Sequence, residues 1–186
     1  MTSSSPSLRK AYAILALDPG YHAEIKCAVL DLNGQLINNK NRDALCTVHF
    51  MNNNCKNAVK HMIKLLQLCL EQGAGNKSKQ RKITKTGNIN VDSQPPYVDE
   101  GIAINIALGN GHGTQEAREL IQQASAECNI PIQIHLISES GASVWSMTEN
   151  ASLEFPNEQP ASIATVSIGR RYLNPLFKLI KYHRVP

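Results

Sequence analysis

The 186 residues fit one domain of ordinary size, long enough to bury a hydrophobic core without disulfides. The net charge of +4 permits a nucleic-acid partner without requiring one. No apolar run approaches the roughly 18 residues of a membrane span, and the N-terminal stretch MTSSSPSLRK lacks the apolar core of a signal peptide.

The five cysteines are odd in number and show no CxxC or Cys/His ligand spacing, which argues against a zinc site. Cys27 and Cys69 fall inside apolar patterns and are expected to be buried free thiols. This usage favours a reducing, intracellular compartment, either cytoplasm or nucleus. No membrane partner is expected.

The first part of the chain predicts antiparallel strands after a flexible lead at residues 1–10. Each predicted strand is a short apolar or alternating run bounded by turn residues. The predicted strands are Tyr12–Asp18, Ile25–Asp31 and Gln35–Lys40, with a short extended piece at Thr47–Met51. Asn33-Gly34 supplies the turn between the second strand and the third.

The remainder alternates helices with strands. Apolar residues three and four positions apart predict a helix over Asn54–Gln72. Residues 73–96, rich in Gly, Asn, Lys, Ser and Thr, predict a mobile insertion. Thr114 is the expected N-cap of the next helix. The later elements are strands at Ile102–Leu108 and Pro131–Ser138, helices from Thr114 to Cys128, Ala142 to Ser152 and Ala161 to Asn174, and a short helical piece from Pro175.

The predicted order is β-β-β-α-β-α-β-α-α, an α/β fold in which three antiparallel strands precede parallel ones. Three strand ends, at Asp18, Leu108 and Ser138, then lie at the carboxyl edge of the parallel part. In open α/β sheets that edge is where ligands bind.

Asp18 ends a predicted buried strand, where a carboxylate is costly unless something binds it. Asp18-Pro19-Gly20 is typical of a strand-ending turn, because Pro fixes φ and Asp accepts hydrogen bonds from turn amides. Its position at the ligand edge also suits a metal-binding carboxylate. The local sequence leaves both interpretations open.

The segment GNGHGT at 109–114 lies between a strand and a helix. Such a turn can present amides to phosphate. It is neither a Walker loop nor a GxGxxG fingerprint, so a tight turn without ligand is the simpler interpretation. His112, taken alone, is weak support for catalysis.

Two further charged features have two readings each. Glu139 follows an apolar strand and is suited either to face Asp18 as a second metal carboxylate or to cap the next helix. Arg170, Arg171 and other basic residues crowd the C-terminus. They are suited either to a nucleic-acid face or to a solvated helix surface.

Four segments resemble one family in order. "LALDPGYHAEIKCAVLD", "IALGNGHGTQEA", "SESGASVWSMTENASLEFP" and "VSIGRRYLNPLFKLIK" are similar to segments of the YqgF-type, RNase H-like domain of the Tex proteins, the bacterial transcription accessory factors, and of their eukaryotic relatives. The resemblance spans residues 11–181, which we take as one domain with the insertion at 73–96 and a tail at 182–186.

The resemblance implies an RNase H-like fold, kin to RuvC-type Holliday-junction resolvases, and work on nucleic acids. In full-length members this domain lies among helix-hairpin-helix domains and an RNA-binding OB-fold domain, which become partners if the chain is part of a longer protein. The sequence departs from the family pattern at His22, Ala23, Glu24 and Ile163, so the basic contacts typical of the family are weakened.

An active resolvase site needs acids after the first, fourth and fifth strands and on the last helix, where they clamp two metal ions. Asp18 supplies the first, and Glu139 is suited to the place after the fifth strand. Glycine and asparagine follow the fourth strand, and Ile163–Gly169 contains no acid. Two carboxylates are too few ligands for two Mg²⁺ ions.

We therefore expect a non-catalytic or weakly catalytic RNase H-like module of a Tex-type transcription or RNA-handling factor, acting in nucleobase-containing compound metabolism. The alternatives are an active metal-dependent nuclease, and an architectural domain whose "EFP" loop and C-terminal helix are buried against neighbouring domains. No cofactor is expected to be required; any Mg²⁺ or Mn²⁺ would be one weakly bound ion at the vestigial pair Asp18 and Glu139. The residues expected to contact RNA or DNA are His22, Asn110, His112, Arg170 and Arg171.

Overall fold

The computed structural model describes residues 9–21, 23–37, 44–50, 55–75 and 102–175. These ranges leave out residues 1–8 of the N-terminal lead, most of the predicted insertion, His22, the helical piece after Pro175 and the C-terminal tail. None of the described helices is both long and apolar enough to cross a lipid bilayer.

A five-stranded mixed sheet forms the centre of the molecule, in the order β3-β2-β1-β4-β5. Antiparallel pairing joins β1 to β2 and β2 to β3, whereas β4 runs parallel to both β1 and β5. The strands are β1 (Arg9–Pro19), β2 (Glu24–Asp31), β3 (Leu45–His49), β4 (Ile102–Gly109) and β5 (Ile132–Ile137). The predicted mixed α/β sheet is confirmed, and it is consistent with an RNase H-like fold.

Helices cover both faces of the sheet. The helices are α1 (Cys55–Gly75), α2 (Thr114–Cys128), α3 (Ala142–Ser146), α4 (Glu149–Glu154) and α5 (Pro160–Leu173). Successive side chains of a strand point to opposite faces. Leu15 and Leu17 of β1 accordingly enter the core with α1 and α2, whereas Ile14 and Ala16 enter the core with α3 and α5. Asp18 continues the second series and so belongs to the α5 face.

The predicted strand at Gln35–Lys40 is present only as a short antiparallel return beside β2, and residues 38–40 lie outside the described ranges. Leu36 forms an isolated bridge to Leu30, the Asp31 N–H donates to the Gln35 carbonyl at 2.9 Å, and the Ile37 N–H donates to the Val29 carbonyl at 3.0 Å. The backbone N–H of Val29 instead donates to the carbonyl of Ala44, at 2.7 Å, and leads β2 into its pairing with β3 at Leu45–His49. The Asn33-Gly34 turn is present, with Gly34 at φ 76°.

Two helix boundaries also differ from the prediction. The predicted helix over Ala142–Ser152 is two helices, because Thr148 adopts extended backbone and its side chain accepts a hydrogen bond from the N–H of Ala151 as an N-cap. Helix α1 continues through Gly73 to Gly75. Strand β1 begins at Arg9, inside the predicted lead.

Candidate functional site

The ends of β1, β4 and β5 meet at one edge of the sheet, as the topology predicts. The N–H of Asn110 donates to the carbonyl of Ile137 at 3.1 Å, and its side-chain oxygen accepts from the N–H of Glu139 at 3.2 Å. A Cβ on Gly113 would lie 3.3 Å from the carbonyl oxygen of Gly20. The glycine-rich turn after β4 therefore contacts the turns after both β1 and β5.

Glu139 is held in a notch between two glycines. Its Oε1 accepts a hydrogen bond from the N–H of Gly111 at 2.8 Å. A Cβ on either Gly109 or Gly111 would overlap the Glu139 carboxylate, so both positions must lack a side chain while the carboxylate lies there. The GNGHGT turn is thus an anion cradle, but the anion bound by Gly111 is the protein's own.

The alternative reading of Glu139 as a helix-capping acid is wrong. The N-cap of α3 is Gly141, in the left-handed region at φ 77°, and no side chain caps that helix. Glu139 contributes only its backbone carbonyl, which accepts from the N–H of Ala142 at 2.8 Å. Its side chain is therefore committed to the glycine notch beside β4.

Asp18 is half-buried at the end of β1, close to Glu139. Burial raises the pKa of the Asp18 carboxyl to about 6, and the negative charge of Glu139 contributes to the rise. Lys26, its register partner on β2, opposes the rise, and the Lys26 Nζ also lies 2.6 Å from an oxygen of Glu24. The predicted proximity of the two carboxylates is therefore present.

The donor set does not fit a two-metal centre. Among the described residues there is no group of three or more His, Cys, Asp or Glu side chains that could hold a metal ion. One oxygen of Glu139 is engaged by Gly111, and the side-chain oxygen of Asn110 by the Glu139 amide. Two-metal hydrolysis clamps both the attacking and the leaving oxygens, which needs more ligands than Asp18 and Glu139 supply.

Thr114 does not cap α2 as predicted. The N-cap is Gly113, in the left-handed region at φ 80°, and Thr114 is the first helical residue. Its hydroxyl donates to the carbonyls of Gly109 and Gly111, at 2.9 and 2.7 Å. Thr114 thus stabilises the shape of the turn that accommodates Glu139.

An exposed aromatic stack lies at the same edge. Tyr21, directly after the Asp18-Pro19-Gly20 turn, stacks on His112 with ring centroids 4.6 Å apart and an interplanar angle of 16°. Tyr21 is 68% exposed. The sequence reasoning named His112 but missed Tyr21, although an aromatic at this point of the turn is a signal that could have found it.

Arg170 lies inside the domain. It is 7% exposed, its Nε donates to the carbonyl of Gly34 at 2.8 Å, and its guanidinium pairs with the carboxylate of Glu154. It also lies over the ring of Trp145, 5.3 Å from the centroid. The reading of this residue as part of a solvated helix face is therefore wrong.

Arg171 is also buried, at 8% exposure. Its Nη1 donates to the carbonyls of Ser138 and Ser140, at 2.6 and 2.9 Å. These residues flank Glu139, so Arg171 fixes the loop that presents the carboxylate. The role predicted for both arginines in contacting nucleic acid is not tested by these contacts.

The surfaces predicted for an architectural role are only partly internal: Glu154 and Pro156 of the "EFP" loop are exposed, whereas Phe155 is half-buried. Glu154 pairs with Arg170, and Phe155 packs edge-on against Trp145 with centroids 6.4 Å apart. Residues 163–171 of α5 are buried against the sheet. Three large apolar side chains in the segment of α3 and α4 are exposed: Val144, Met147 and Leu153, at 60%, 73% and 73%.

Comparison with known protein families matches residues 97–173 to the Tex protein YqgF-like domain. The matched range holds β4, β5, α2 to α5, the GNGHGT turn and Glu139. The resemblance to the YqgF-type domain of the Tex family is thereby confirmed.

Individual relatives extend the similarity to most of the chain. The transcriptional accessory protein Tex of Neisseria gonorrhoeae is 29% identical over 171 residues, which is 90% of this chain and 17% of that protein. Protein YhgF of Escherichia coli K12 is 27% identical over 91% of this chain. Protein tex of Bordetella pertussis is 39% identical over 77 residues, 41% of this chain and 10% of that protein. The matched segments thus span only 10–17% of the length of these relatives.

Proposed function

We propose that this Tex-type YqgF-like domain is a nucleic-acid-binding module of a transcription or RNA-handling factor, with no efficient nuclease chemistry of its own. The name of the Neisseria gonorrhoeae relative, a transcriptional accessory protein, supports the transcription part of this proposal. We expect a protein with that role to act inside the cell.

The hydrogen bond from Gly111 to Glu139 is the observation that supports the absence of efficient nuclease chemistry. A carboxylate oxygen that accepts a hydrogen bond from a backbone N–H at 2.8 Å uses one of its lone pairs there. The glycines on both sides leave room for that carboxylate and offer no acid of their own. Asp18 remains with Glu139 as a pair that holds at most one Mg²⁺ or Mn²⁺ weakly.

The nucleic-acid part is supported by the exposed stack of Tyr21 on His112 beside this pair. Aromatic faces bind unpaired bases by stacking, with little preference for sequence. Asn110 and His112 stay in the proposed surface with Tyr21. Arg170 and Arg171 are better explained by their hydrogen bonds inside the domain.

The test combines cleavage and binding on the same protein. Purified protein is incubated with Mg²⁺ or Mn²⁺ and with branched DNA or structured RNA, and binding is followed by fluorescence anisotropy on single-stranded RNA and DNA. We expect binding without cleavage. Robust cleavage that Asp18→Ala abolishes and the surface variant Leu32→Ala leaves intact would establish a metal-dependent nuclease instead.

A second candidate function is favoured by the exposed apolar surface of Val144, Met147 and Leu153. Large apolar side chains exposed close together mark contact surfaces. The relatives are about six to ten times longer than the segments that match this chain, so they contain further chain that could cover these side chains. This surface would then pack against a neighbouring domain of a longer chain, such as a helix-hairpin-helix or OB-fold domain. A triple serine variant that folds normally should lose association with that remainder when the two parts are mixed.

A further inference from the structure

A basic cleft opens between β3 and the first half of α1. Its volume is about 390 Å³, and Ala58 forms part of its floor. The polar side chains that line it are Thr47, His49, Asn57, Lys60, His61 and Lys64. Neither acidic side chain nor large apolar group is among the lining residues, so the cleft is chemically suited to an anion.

The two lysines of the cleft form no ion pair with another described residue. Both Lys60 and Lys64 are exposed. They are four residues apart on α1, a spacing at which like charges repel and weaken a helix. The first turn of α1 also contains no acid that would offset them. An anion between the two ammonium groups would relieve this repulsion.

The cleft adjoins the edge that carries the candidate site. His49, the last residue of β3, pairs in register with Glu24, and its Nδ1 lies 4.0 Å from a Glu24 oxygen. The carbonyl of Glu24 in turn accepts from the N–H of Gly20, next to Tyr21. A chain that stacks a base on Tyr21 and His112 can therefore continue towards Lys60 and Lys64.

We infer that this cleft binds the phosphate backbone of single-stranded RNA or DNA, while Tyr21 and His112 stack its bases. The inference rests on the proposed nucleic-acid-binding function and assigns the backbone contacts to a surface that the RNase H-like edge does not include. Lys60 and Lys64 neutralise two phosphates, and Thr47 and Asn57 are hydrogen-bonding groups beside them.

The experiment measures the salt dependence of binding to a labelled oligouridylate of about 12 nucleotides. In K60Q/K64Q two positive charges are removed from the cleft. Its matched control is Q122E/Q133E, which lowers the net charge by the same two at exposed positions of α2 and β5, outside the lining of the cleft. Circular dichroism and urea unfolding establish that each variant is folded before affinity is compared.

Each phosphate contact to a single strand contributes about 0.7 to the slope of log K against log salt concentration, so K60Q/K64Q should lower that slope by about 1.4. Its affinity should fall on the order of tenfold at about 0.1 M salt, whereas the control should stay near wild type. Wild-type protein that binds no oligonucleotide overturns the proposed function. If both double variants weaken binding equally, net charge alone explains the effect. That result overturns the assignment of the phosphate contacts to the cleft but leaves the proposed function standing. An acidic peptide that competes as well as RNA, by way of the same lysines, overturns the assignment to nucleic acid.

Discussion

The Oε1 of Glu139 accepts a hydrogen bond from the backbone N–H of Gly111 at 2.8 Å, although the two residues are 28 positions apart. The contact exists because β4 and β5 are adjacent and parallel, so that the turns following them lie side by side. As a result the GNGHGT turn, whose amides could bind a phosphate, binds the carboxylate of Glu139. Among the described residues Asp18 has no such hydrogen bond, and burial raises the pKa of its carboxyl.

Gly111→Ala should destabilise the protein by about 1–1.5 kcal/mol, because the flexible Glu139 carboxylate must move away from the new Cβ and loses its hydrogen bond with the Gly111 N–H. The backbone itself should tolerate alanine, since Gly111 is not among the positive-φ residues. Urea unfolding of the variant, alone and in a Glu139→Ala background, measures the effect. In the second background most of the cost should disappear.

Gly20→Ala is the control for that measurement. An added Cβ there would meet nothing closer than 3.4 Å, so its cost should stay below about 1 kcal/mol. If Gly111→Ala costs the same with and without Glu139, the notch does not exist for the carboxylate.

Asp18→Asn should make the protein more stable at neutral pH. The folded carboxyl has its pKa raised from 3.8 to about 6, so it binds a proton more tightly than the unfolded chain does. Stability from this group is therefore complete below about pH 4 and is lost as the pH rises through 6. This rise in pKa corresponds to about 3 kcal/mol of folding free energy that the charged carboxyl costs. Asn has no charge to bury, so Asp18→Asn should regain that stability.

Urea midpoints between about pH 4 and pH 8 test this. The advantage of Asp18→Asn should grow with pH and level off above about pH 7. Lys26→Met should steepen the wild-type loss, because Lys26 opposes the rise in the Asp18 pKa. An advantage that does not change with pH would mean that Asp18 is charged at no cost.

The strands that place the candidate site could be predicted because their signal is local. β1 and β4 are apolar runs that end in Pro-Gly and Gly-Asn-Gly, and alternation with helices fixes their parallel pairing. β3 was predicted only as a short extended piece at Thr47–Met51, two residues late, because its five residues, LCTVH, form a weaker pattern than the one that the Asn33-Gly34 turn suggested for Gln35–Lys40. Its edge position depends on pairing with β2, which no local pattern encodes.

The side-chain partners at the site could not be predicted in the same way. The proximity of Asp18 and Glu139 follows from topology alone, and it was anticipated. The position of the Glu139 carboxylate depends on the notch between Gly109 and Gly111, two residues without a Cβ that lie about 28 positions earlier in the chain. The burial of Arg170 depends on Glu154 and Gly34, and a pair of arginines near the end of a chain looks the same in sequence whether it is buried or solvated.

Arg170→Lys and Arg170→Met should both lower the free energy of unfolding by about 2–4 kcal/mol. Lysine keeps the charge but cannot reach the Gly34 carbonyl and the Glu154 carboxylate together in the geometry of a guanidinium. The measurement is urea unfolding, with Lys56→Met at an exposed position of α1 as the surface control, which should cost less than about 0.5 kcal/mol. Lost affinity for RNA in a fully folded Arg170→Lys protein would instead make Arg170 a binding residue.

Tyr21→Ala should weaken binding to single-stranded RNA about tenfold, because it removes one stacking face for an unpaired base. Tyr21→Phe should bind like wild type, since the ring rather than the hydroxyl makes the stack with His112. Stability should change little in either variant, because Tyr21 is 68% exposed. Anisotropy titrations at fixed salt give the affinities. The slope of log K against log salt concentration should be unaffected, which separates this residue from Lys60 and Lys64.

Leu32→Ala is the control, because Leu32 is an exposed apolar residue in the turn after β2, at the opposite end of the sheet. If Tyr21→Ala and Leu32→Ala bind equally well, bases do not stack at this edge and the backbone contacts alone hold the strand.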